Sequence, residues 1–529
     1  MKFKKISSIC VFSMFLLFLS SVALAQRDVG TFLGTVFDSD GQPLPGVTIT
    51  AKNVQTGLVQ ASITNLRGDY RIERLPRGIY TVTASVQGFK TLSKEGYELF
   101  AGAEFKVNFT LELGGINEEV TVIGEAPMIE TTRAQVSTVI TEKELLSYPQ
   151  ENRNYLYLMQ YAPGTQPGAS TTQGPGYAVN GMRGESNNYM IDGLDNNELT
   201  DHSFNISVLP VEAMQEFRLI TNNFSAEYGR NIGGVLNVLM KSGTNELHGS
   251  GWIFHRGDSA LFKSADWLTH TRPPYKRYQY GGTLGGPIIK DKTFFFANFE
   301  GISQDEDYIS PRLVFTPEAI AKAQGAAKEI FDIYPGYPVP TYDFRDVDND
   351  GVPDYGRVAN QTSDKYRSFT FALKIDHIFS SKDRIALRWV HNNQENEYDM
   401  YSPLAWTNNP GETGKEPRRY HTGGLTWLHL FSPNAYNELR IGIHKSFYEK
   451  PSVNLDIPIF SFSDGVDAVG GGGGGTNSDD ITYQLADVLS FQKGNHSIKV
   501  GGEARIWEVD ALMDWGAAGN YSYLTGLEL

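Results

Sequence analysis

The sequence predicts a mainly β protein that is exported from the cytoplasm, and three observations lead to this prediction. The chain of 529 residues begins with a basic and apolar leader. The segment after the leader contains short β-rich runs separated by glycine and proline turns. The C-terminal half repeats a strict alternation of apolar and polar residues, the pattern of strands whose two faces meet different surroundings. This length is sufficient for several domains.

The leader has the organisation of a secretory signal peptide. A basic start is followed by a mostly apolar run to Leu19, and Ala23 and Ala25 supply small residues at the cleavage positions. We expect residues 1–25 to be removed, which makes Gln26 the first mature residue. A retained membrane anchor is the alternative, but the apolar run is shorter than the ~20 residues of a spanning helix.

Composition excludes several classes of function. The single cysteine, Cys10, lies in the leader, so the mature chain has no disulfide, thiolate metal site or cysteine nucleophile. Loss of the three leader lysines changes the formal charge from −15 to −18. A chain this acidic, with no basic run, is predicted not to bind nucleic acid.

Residues 26–113 predict a small β-sandwich. Val47 and Ile49 alternate with threonines, and glycine-containing turns separate the runs. The segment closely resembles the carboxypeptidase regulatory-like domain, an accessory sandwich that implies no peptidase activity. No HxxE or HExxH zinc motif occurs in the chain. The resemblance is carried by Gly34, Asp38, Gly41, Pro43, Pro45, Gly46, Thr56, Gly57, Gly68, Tyr70, Leu75, Pro76, Gly78, Ile79, Tyr80, Gly88 and Phe89.

Residues 114–240 predict a linker and a small α+β domain. Thr141 followed by Glu144 predicts a capping box at the start of a short helix. The region resembles the plug domain of TonB-dependent outer-membrane receptors, specifically the Oar-like group that carries the sandwich in front. Its glycines are expected to serve turns and packing. Asn180, Arg183, Asn187 and Asn188 are expected to bond within the plug or to a barrel wall, and contact with substrate is the alternative. The motifs are Asn180 to Gly184, Asn187 to Tyr189, Ile191 to Gly193, Ala226 to Gly229, Gly233, Gly234 and Lys241 to Asn245.

Residues 241–529 predict nine antiparallel strands with an alternating rhythm of connections. Short connections fall at 287–292, 380–383, 432–437 and 492–496, and long ones at 257–277, 302–365, 392–419 and 449–480. Outer-membrane barrels show this asymmetry of short turns and long outer loops. The predicted strands are 246–256, 278–286, 293–301, 366–379, 384–391, 420–431, 438–448, 481–491 and 497–507.

The alternating strands have two interpretations. In a transmembrane barrel, Phe369 and Phe371 face lipid while Thr370 and Lys374 face a polar interior, because a closed barrel is the only β structure that pairs its whole backbone in lipid. A soluble sandwich predicts the reverse. The leader, the loop rhythm and the plug resemblance favour the barrel. Plugged transporter barrels use ~22 strands and single-chain bacterial barrels an even number. We therefore expect the sequence to be a fragment and its barrel part to form an open, curled sheet.

The resemblance implies active uptake powered by a TonB-type energy-transducing protein, which pairs with a short N-terminal peptide of the receptor. Strand addition suits such a contact because main-chain hydrogen bonds make little demand on sequence. The candidate peptide is Glu119, Val120, Thr121, Val122 and Ile123. The alternative is an ordinary interdomain strand.

An acidic stretch in the longest predicted loop suggests calcium. Asp346, Asp348, Asp350 and Asp354 fit ligand positions of a calcium loop, with Gly351 at its turn. Arg357 occupies the position where an EF-hand carries its last acidic ligand, which leaves a solvated acidic turn as the alternative. No other cofactor is expected.

Enzymatic function is not expected. The chain has no GxSxG elbow, P-loop or metal-ligand spacing of histidines, and the glycine run 470–475 reads as a flexible linker. The resemblance implies an outer-membrane receptor of Gram-negative bacteria, in contact with lipid and an unidentified extracellular substrate. An outer-membrane adhesin or structural protein without transport, and a secreted sugar-binding β protein, are the alternatives.

Overall fold

The computed structural model describes most of the chain in segments. These are 29–114, 119–123, 136–148, 153–167, 176–197, 208–229, 231–259, 272–322, 331, 339–347, 349–399, 413–432, 435–450, 459–462, 469–470, 475–493, 496–513 and 520–523. The predicted leader, 1–25, lies outside these residues. Among the described helices, none combines the length and apolarity that crossing a bilayer requires.

The N-terminal domain is a sandwich of two sheets, as predicted. One sheet has the order β4-β1-β7, with β8 also paired to β1, and the other has the order β3-β2-β5-β6-β9. Phe32 is fully buried between them and meets the ring of Tyr80 edge-on at 5.7 Å. The strands are β1 (Val29–Asp38), β2 (Thr48–Asn53), β3 (Val59–Ile63), β4 (Asp69–Pro76), β5 (Gly78–Ser85), β6 (Thr91–Leu99), β7 (Glu104–Lys106), β8 (Phe109–Leu111) and β9 (Glu119–Ile123).

The plug is built on a five-stranded sheet of order β10-β15-β16-β13-β14. The predicted capping box is present, because the Glu144 carboxylate accepts the backbone N–H of Thr141 at 2.8 Å at the start of helix α1 (Glu142–Ser147). Three 3-10 helices cover Tyr155–Tyr161, Gly184–Ser186 and Val211–Ala213. The strands are β10 (Val136–Thr141), β11 (Thr165–Pro167), β12 (Tyr177–Val179), β13 (Asn188–Ile191), β14 (Leu194–Asp195), β15 (Met214–Asn222) and β16 (Val235–Met240).

The C-terminal part forms one large antiparallel sheet in chain order, β17-β18-β19-β21-β22-β23-β24-β27-β28, with β20 paired to β21. A separate small sheet has the order β26-β25-β29. The strands are β17 (His248–Gly257), β18 (Tyr275–Ile289), β19 (Thr293–Phe315), β20 (Tyr342–Arg345), β21 (Tyr355–Ile378), β22 (Asp383–Asp399), β23 (Thr413–Ser432), β24 (Ala435–Lys450), β25 (Ile459–Phe462), β26 (Val469–Gly470), β27 (Thr476–Lys493), β28 (His496–Met513) and β29 (Asn520–Tyr523), and helix α2 is Pro317–Lys322.

All nine predicted strands are found in this sheet. Within the described residues β17 pairs only with β18 and β28 only with β27, so this part is an open sheet, as expected. The predictions of the long loops are wrong in extent. Strands β22 and β23 occupy 392–399 and 413–419 of the predicted loop 392–419, and β27 begins at Thr476, inside the predicted loop 449–480. Much of the predicted loop 302–365 is strand, because β19 and β21 stay paired as far as Phe315 and Tyr355. Residues 303–307 and 360–365, which adjoin the predicted strands, are all polar, so alternation of apolar residues could not continue the strands through them.

The faces of the sheet are oriented as the barrel interpretation predicts. On β22, Leu387 and Trp389 are 45% and 40% exposed, whereas Arg388 between them is only 4% exposed. On β24, Ile441 is 49% exposed and Arg440 is 2% exposed. A soluble core would bury the apolar set instead. The exposed apolar face is therefore the lipid-facing surface of the sheet, and the polar face is its inner surface.

Aromatic and charged side chains mark the limits of the lipid-facing band. Near the outer limit, Phe369 contacts Phe299, with ring centroids 5.2 Å apart. At the inner limit, His377 and Phe379 contact each other at 4.2 Å. The stretch from Phe369 to Phe379 spans roughly 25 Å at the usual strand rise and tilt, about the height of the apolar band of such barrels. Beyond Phe369, the exposed pair Arg367 and Asp305 (2.6 Å) indicates water or lipid head groups.

Candidate functional site

The plug lies against the polar inner face of the barrel sheet. The hairpin β13–β14 places Leu194, which is 1% exposed, against a glycine patch on β23 and β24. A Cβ atom at Gly424 would lie 2.6 Å from Leu194 Cδ1, and one at Gly442 would lie 3.0 Å from Leu194 Cδ2. Any larger residue on the wall would displace the hairpin. The two glycines therefore provide the close approach on which the plug's position depends.

A buried carboxylate at the tip of this hairpin binds two cations of the wall. Asp192 Oδ2 lies 3.2 Å from Lys374 Nζ on β21 and 3.2 Å from Arg388 Nη1 on β22. Its Oδ1 accepts the backbone N–H of Met240 at 2.9 Å. Asp192 adopts a left-handed conformation (φ 48°), and Gly193 follows it (φ 76°). The turn therefore directs the carboxylate at two directly paired wall residues.

The surroundings of Asp192 act on its pKa in opposite directions. Burial raises the pKa of the carboxyl group, but Lys374, Arg388 and the Met240 N–H lower it further, and the net pKa lies below its usual value. A carboxylate with a depressed pKa stabilises the folded state at all pH values above its ordinary pKa of about 3.9. That contribution is lost as the pH falls through the folded-state pKa.

The plug is therefore expected to stay seated from neutral pH down to about pH 4 and to loosen only below that value. Hydrogen exchange of the β13–β14 amides, corrected for intrinsic rates, measures this. The Asp192→Asn variant is the control, because it has no carboxylate to protonate and its exchange should show no such acid step. Loosening of the parent between pH 7 and 5 would contradict the assignment.

Further polar contacts join the plug to strands at the far side of the sheet. Asp195 Oδ1 lies 3.1 Å from Arg505 Nη1 on β28, and its backbone N–H donates to Gln484 Oε1 at 3.0 Å. The Thr422 hydroxyl donates to Asn196 Oδ1 at 3.3 Å. Four strands of the wall (β21, β22, β27 and β28) thus hold the hairpin by charged or amide side chains. The alternation predicted that such residues face the interior, but it gave no sign of their plug partners.

The asparagines of the plug motifs bond mainly within the plug. Asn180 Nδ2 donates to the carbonyl of Thr221 at 2.6 Å, and Asn187 accepts the N–H of Gly234 at 2.7 Å. Gly234 is tightly packed, since a Cβ atom there would lie 2.9 Å from Val179. Arg183 is exposed. These positions match the expected structural roles.

The sandwich is docked against the base of the plug through four residues, here called the docking contact: Arg77, Ala101, Glu216 and Arg218. Glu216 Oε2 lies 3.2 Å from Arg77 Nη1 and accepts the Ala101 N–H at 3.2 Å. Arg218 Nη1 donates to the Ala101 carbonyl. The Glu216 side chain is 0% exposed and that of Arg77 is 6% exposed. Sequence reasoning missed this contact, because Arg77 and Glu216 are 139 residues apart.

The sandwich also touches the short-turn end of the barrel. Arg384 Nη2 donates a hydrogen bond to the Arg74 carbonyl at 2.6 Å. The guanidinium of Arg74 lies 4.7 Å from the centre of the Tyr436 ring. The Asn245 N–H donates to the carbonyl of Gln55 at 3.1 Å. Residues of the sandwich, the plug and the barrel sheet line an open cavity of about 770 Å³. The sandwich thus covers the end of the barrel opposite its long hairpins.

The candidate partner peptide, Glu119 to Ile123, is strand β9. It runs parallel to β6. The paired residues run from Thr91 opposite Glu119 to Glu95 opposite Ile123. It is the last strand of its sheet, so within the described residues one of its edges has no strand partner. The structure thus makes it an edge strand of the sandwich, and its pairing with another protein stays a prediction.

The candidate calcium residues lie beside β20. Asp346 accepts the Gly351 N–H at 2.8 Å and Asp354 the Val347 N–H at 2.8 Å. Asp350 pairs with Lys322, and Asp348 lies outside the described residues. Within the part of the chain that the structure describes, no three acidic, histidine or cysteine side chains are grouped to hold a metal ion. Calcium binding here stays a prediction from the sequence.

The fold and site define a class: an outer-membrane β-barrel with an internal plug. Comparison with protein families agrees. Residues 239–346 and 319–528 match the outer membrane beta barrel domain, 31–112 the carboxypeptidase regulatory-like domain, and 130–235 the TonB-dependent receptor plug domain. The chain belongs to the outer membrane beta barrel family, is a homologue of a TonB-dependent transporter, and carries a TonB-dependent receptor plug domain and a carboxypeptidase regulatory-like domain. It is accordingly an outer-membrane protein.

Each individual relative matches only part of this chain, and the chain matches only part of each relative. The TonB-dependent transporter Oar of Myxococcus xanthus is 31% identical over 294 residues, which are 53% of this chain and 27% of the relative. The outer membrane transporter YddB of Escherichia coli is 15% identical with a TM-score of 0.49, covering 71% of this chain and 48% of YddB. The siderophore receptor PirA of Acinetobacter baumannii is 16% identical with a TM-score of 0.45, covering 71% of this chain and 48% of PirA. The chain thus spans less than half the length of these proteins.

Proposed function

We propose that this protein serves active uptake of an extracellular substrate across the outer membrane, powered by a TonB-type protein that pairs with β9. One observation carries the proposal. The plug occupies the polar face of the barrel sheet, while the sandwich and its edge strand lie at the short-turn end, where Arg384 bonds to the sandwich. In barrels of this class, short turns face the periplasm. An edge strand there is accessible to an energy-transducing protein anchored in the inner membrane.

The opposite end carries the long hairpin of β19 and β21 with α2 and β20 beside it. Such hairpins lie on the extracellular side, where a receptor first meets its substrate. The proposed process is binding of the substrate followed by its passage through the barrel, without a chemical reaction. The protein's own task is to hold the plug until the substrate is bound and a pull arrives.

The test uses strand β9 and its main-chain groups. In the full-length protein solubilised in detergent, Thr121→Pro is expected to abolish binding of the purified periplasmic domain of the host's TonB-type protein, because proline has no N–H for a ladder. Thr121→Ala, the matched control, keeps the N–H and is expected to bind as the parent does. Binding is measured on immobilised receptor by a label on the TonB-type domain.

Two results would contradict the proposal. One is equal binding of the Thr121→Pro and Thr121→Ala proteins, and the other is no binding by the parent. Either would favour an adhesive or structural role, for which β9 is an ordinary interdomain strand. The control for assembly is cleavage of the β19–β21 hairpin by added protease. Equal cleavage in all variants shows that the proteins are assembled in the same way.

A further inference from the structure

A single strand of the sandwich joins β9 to the plug. Strand β6 pairs with β9 over Thr91–Glu95 and continues to Leu99. Two residues later, Ala101 bonds through its N–H to Glu216 and through its carbonyl to Arg218, both on plug strand β15. No extensible segment lies along this route. A displacement of β9 is therefore passed to the plug over the length of one strand.

The docking contact is suited to carry such a displacement. Charged hydrogen bonds between buried groups are stronger than neutral or exposed ones. Glu216 is fully buried and binds both Arg77 and Ala101, and Arg77 also bonds to Glu98 of β6 at 2.9 Å. The guanidinium of Arg77 thus ties the plug to the same strand that holds β9.

The covalent route from β9 to the plug is longer. It runs through the twelve residues 124–135 before β10 begins. A chain of this length extends to as much as roughly 45 Å. The route through β6, by contrast, has only two residues from Leu99 at the end of the strand to Ala101 in the docking contact.

We propose that the sandwich transmits the pull of the energy-transducing protein to the plug, through β6 and the docking contact, and that residues 124–135 are not the main path. The inference rests on the proposed function, because it requires a partner strand on the open edge of β9. The energy-transducing protein would contribute one β-strand, which pairs with β9 as the sixth strand of the sandwich sheet and leaves the β6–β9 pairing intact. The sandwich then acts as part of the transport machinery.

A thiol on the plug reports whether the plug moves. Apart from Cys10 in the predicted leader the sequence has no cysteine, and Leu194 is buried against the barrel wall, so the Leu194→Cys thiol reacts with a small maleimide only when the hairpin leaves the wall. Labelling is measured on the full-length protein in cells with an intact proton gradient and in cells treated with an uncoupler. The probe is the maleimide itself, so no substrate need be known.

Two changes in this background separate the two routes. Insertion of a twelve-residue Gly-Ser segment after Pro127 slackens the covalent route, and we expect gradient-dependent labelling to persist at the parent's rate. Arg77→Glu places a carboxylate beside Glu216 and Glu98, and we expect labelling to fall to the rate in uncoupled cells. Arg67→Glu is the matched control, since Arg67 is exposed on the same domain and should leave labelling unchanged.

The outcomes are distinct. Loss of labelling on insertion, or its persistence in Arg77→Glu, overturns the inference and leaves the proposed function standing. Absence of gradient-dependent labelling in the parent overturns both. Equal amounts of each variant in the outer membrane, and equal binding of the purified TonB-type domain to Arg77→Glu and parent, exclude misfolding of the sandwich as the cause of a loss.

Discussion

Replacing Asp192 with alanine is expected to release the plug hairpin from the barrel wall at a cost of about 3–5 kcal/mol, the usual penalty for removing one partner of a buried ion pair. The side chain is 2% exposed and faces both Lys374 and Arg388 at 3.2 Å. Its loss leaves two cations in the barrel interior without this counter-charge. The measurement is the urea concentration at which the plug becomes sensitive to protease in the purified, full-length protein.

The control is a solvent-exposed ion pair between an aspartate and an arginine. Asp305 pairs with Arg367 at 2.6 Å, but the two side chains are 50% and 44% exposed. Asp305→Ala is expected to change stability by no more than about 1 kcal/mol. Equal effects of the two substitutions would show that the plug is not seated by Asp192.

Replacing Leu387 with arginine is expected to destabilise the barrel by about 2–4 kcal/mol, the cost of a cation on the lipid face near the middle of the bilayer. Leu387 is 45% exposed and lies between two apolar partners in the sheet, Ile375 and Leu425. The measurement is the denaturant midpoint of the protein folded in phospholipid vesicles.

Asn393→Arg on the same strand and face is the matched control. Asn393 is exposed and lies at the aromatic limit of the band, paired directly with Phe369 and three positions on this face from Leu387. The same substitution there is expected to cost at most about 1 kcal/mol, because the guanidinium meets water or head groups. A cost at Asn393 equal to that at Leu387 would contradict the assigned position of the membrane.

The sequence determined much of the fold because local patterns encode it. Period-two alternation located all nine wall strands and assigned their faces, as Leu387 and Arg388 show. The Thr141 and Glu144 capping box located a helix start. These features depend on residues close together in the chain. The pattern failed at residues 303–307 and 360–365, where neither face of the strand is apolar, and the extensions of β19 and β21 were therefore predicted as loop.

Only the tertiary structure decided which charged residues meet. Asp192 finds Lys374 across the barrel interior, and Arg77 finds Glu216 across two domains. A charged side chain carries no mark of its partner, since an ion pair requires only opposite charge and proximity, and proximity follows from how the domains are packed. The sequence by itself therefore determined the nine strands of the barrel wall, their two faces and the order of domains. Only the tertiary structure shows that the sandwich is fixed to the plug, because the docking contact joins Arg77 to Glu216, and no sequence pattern relates residues so far apart.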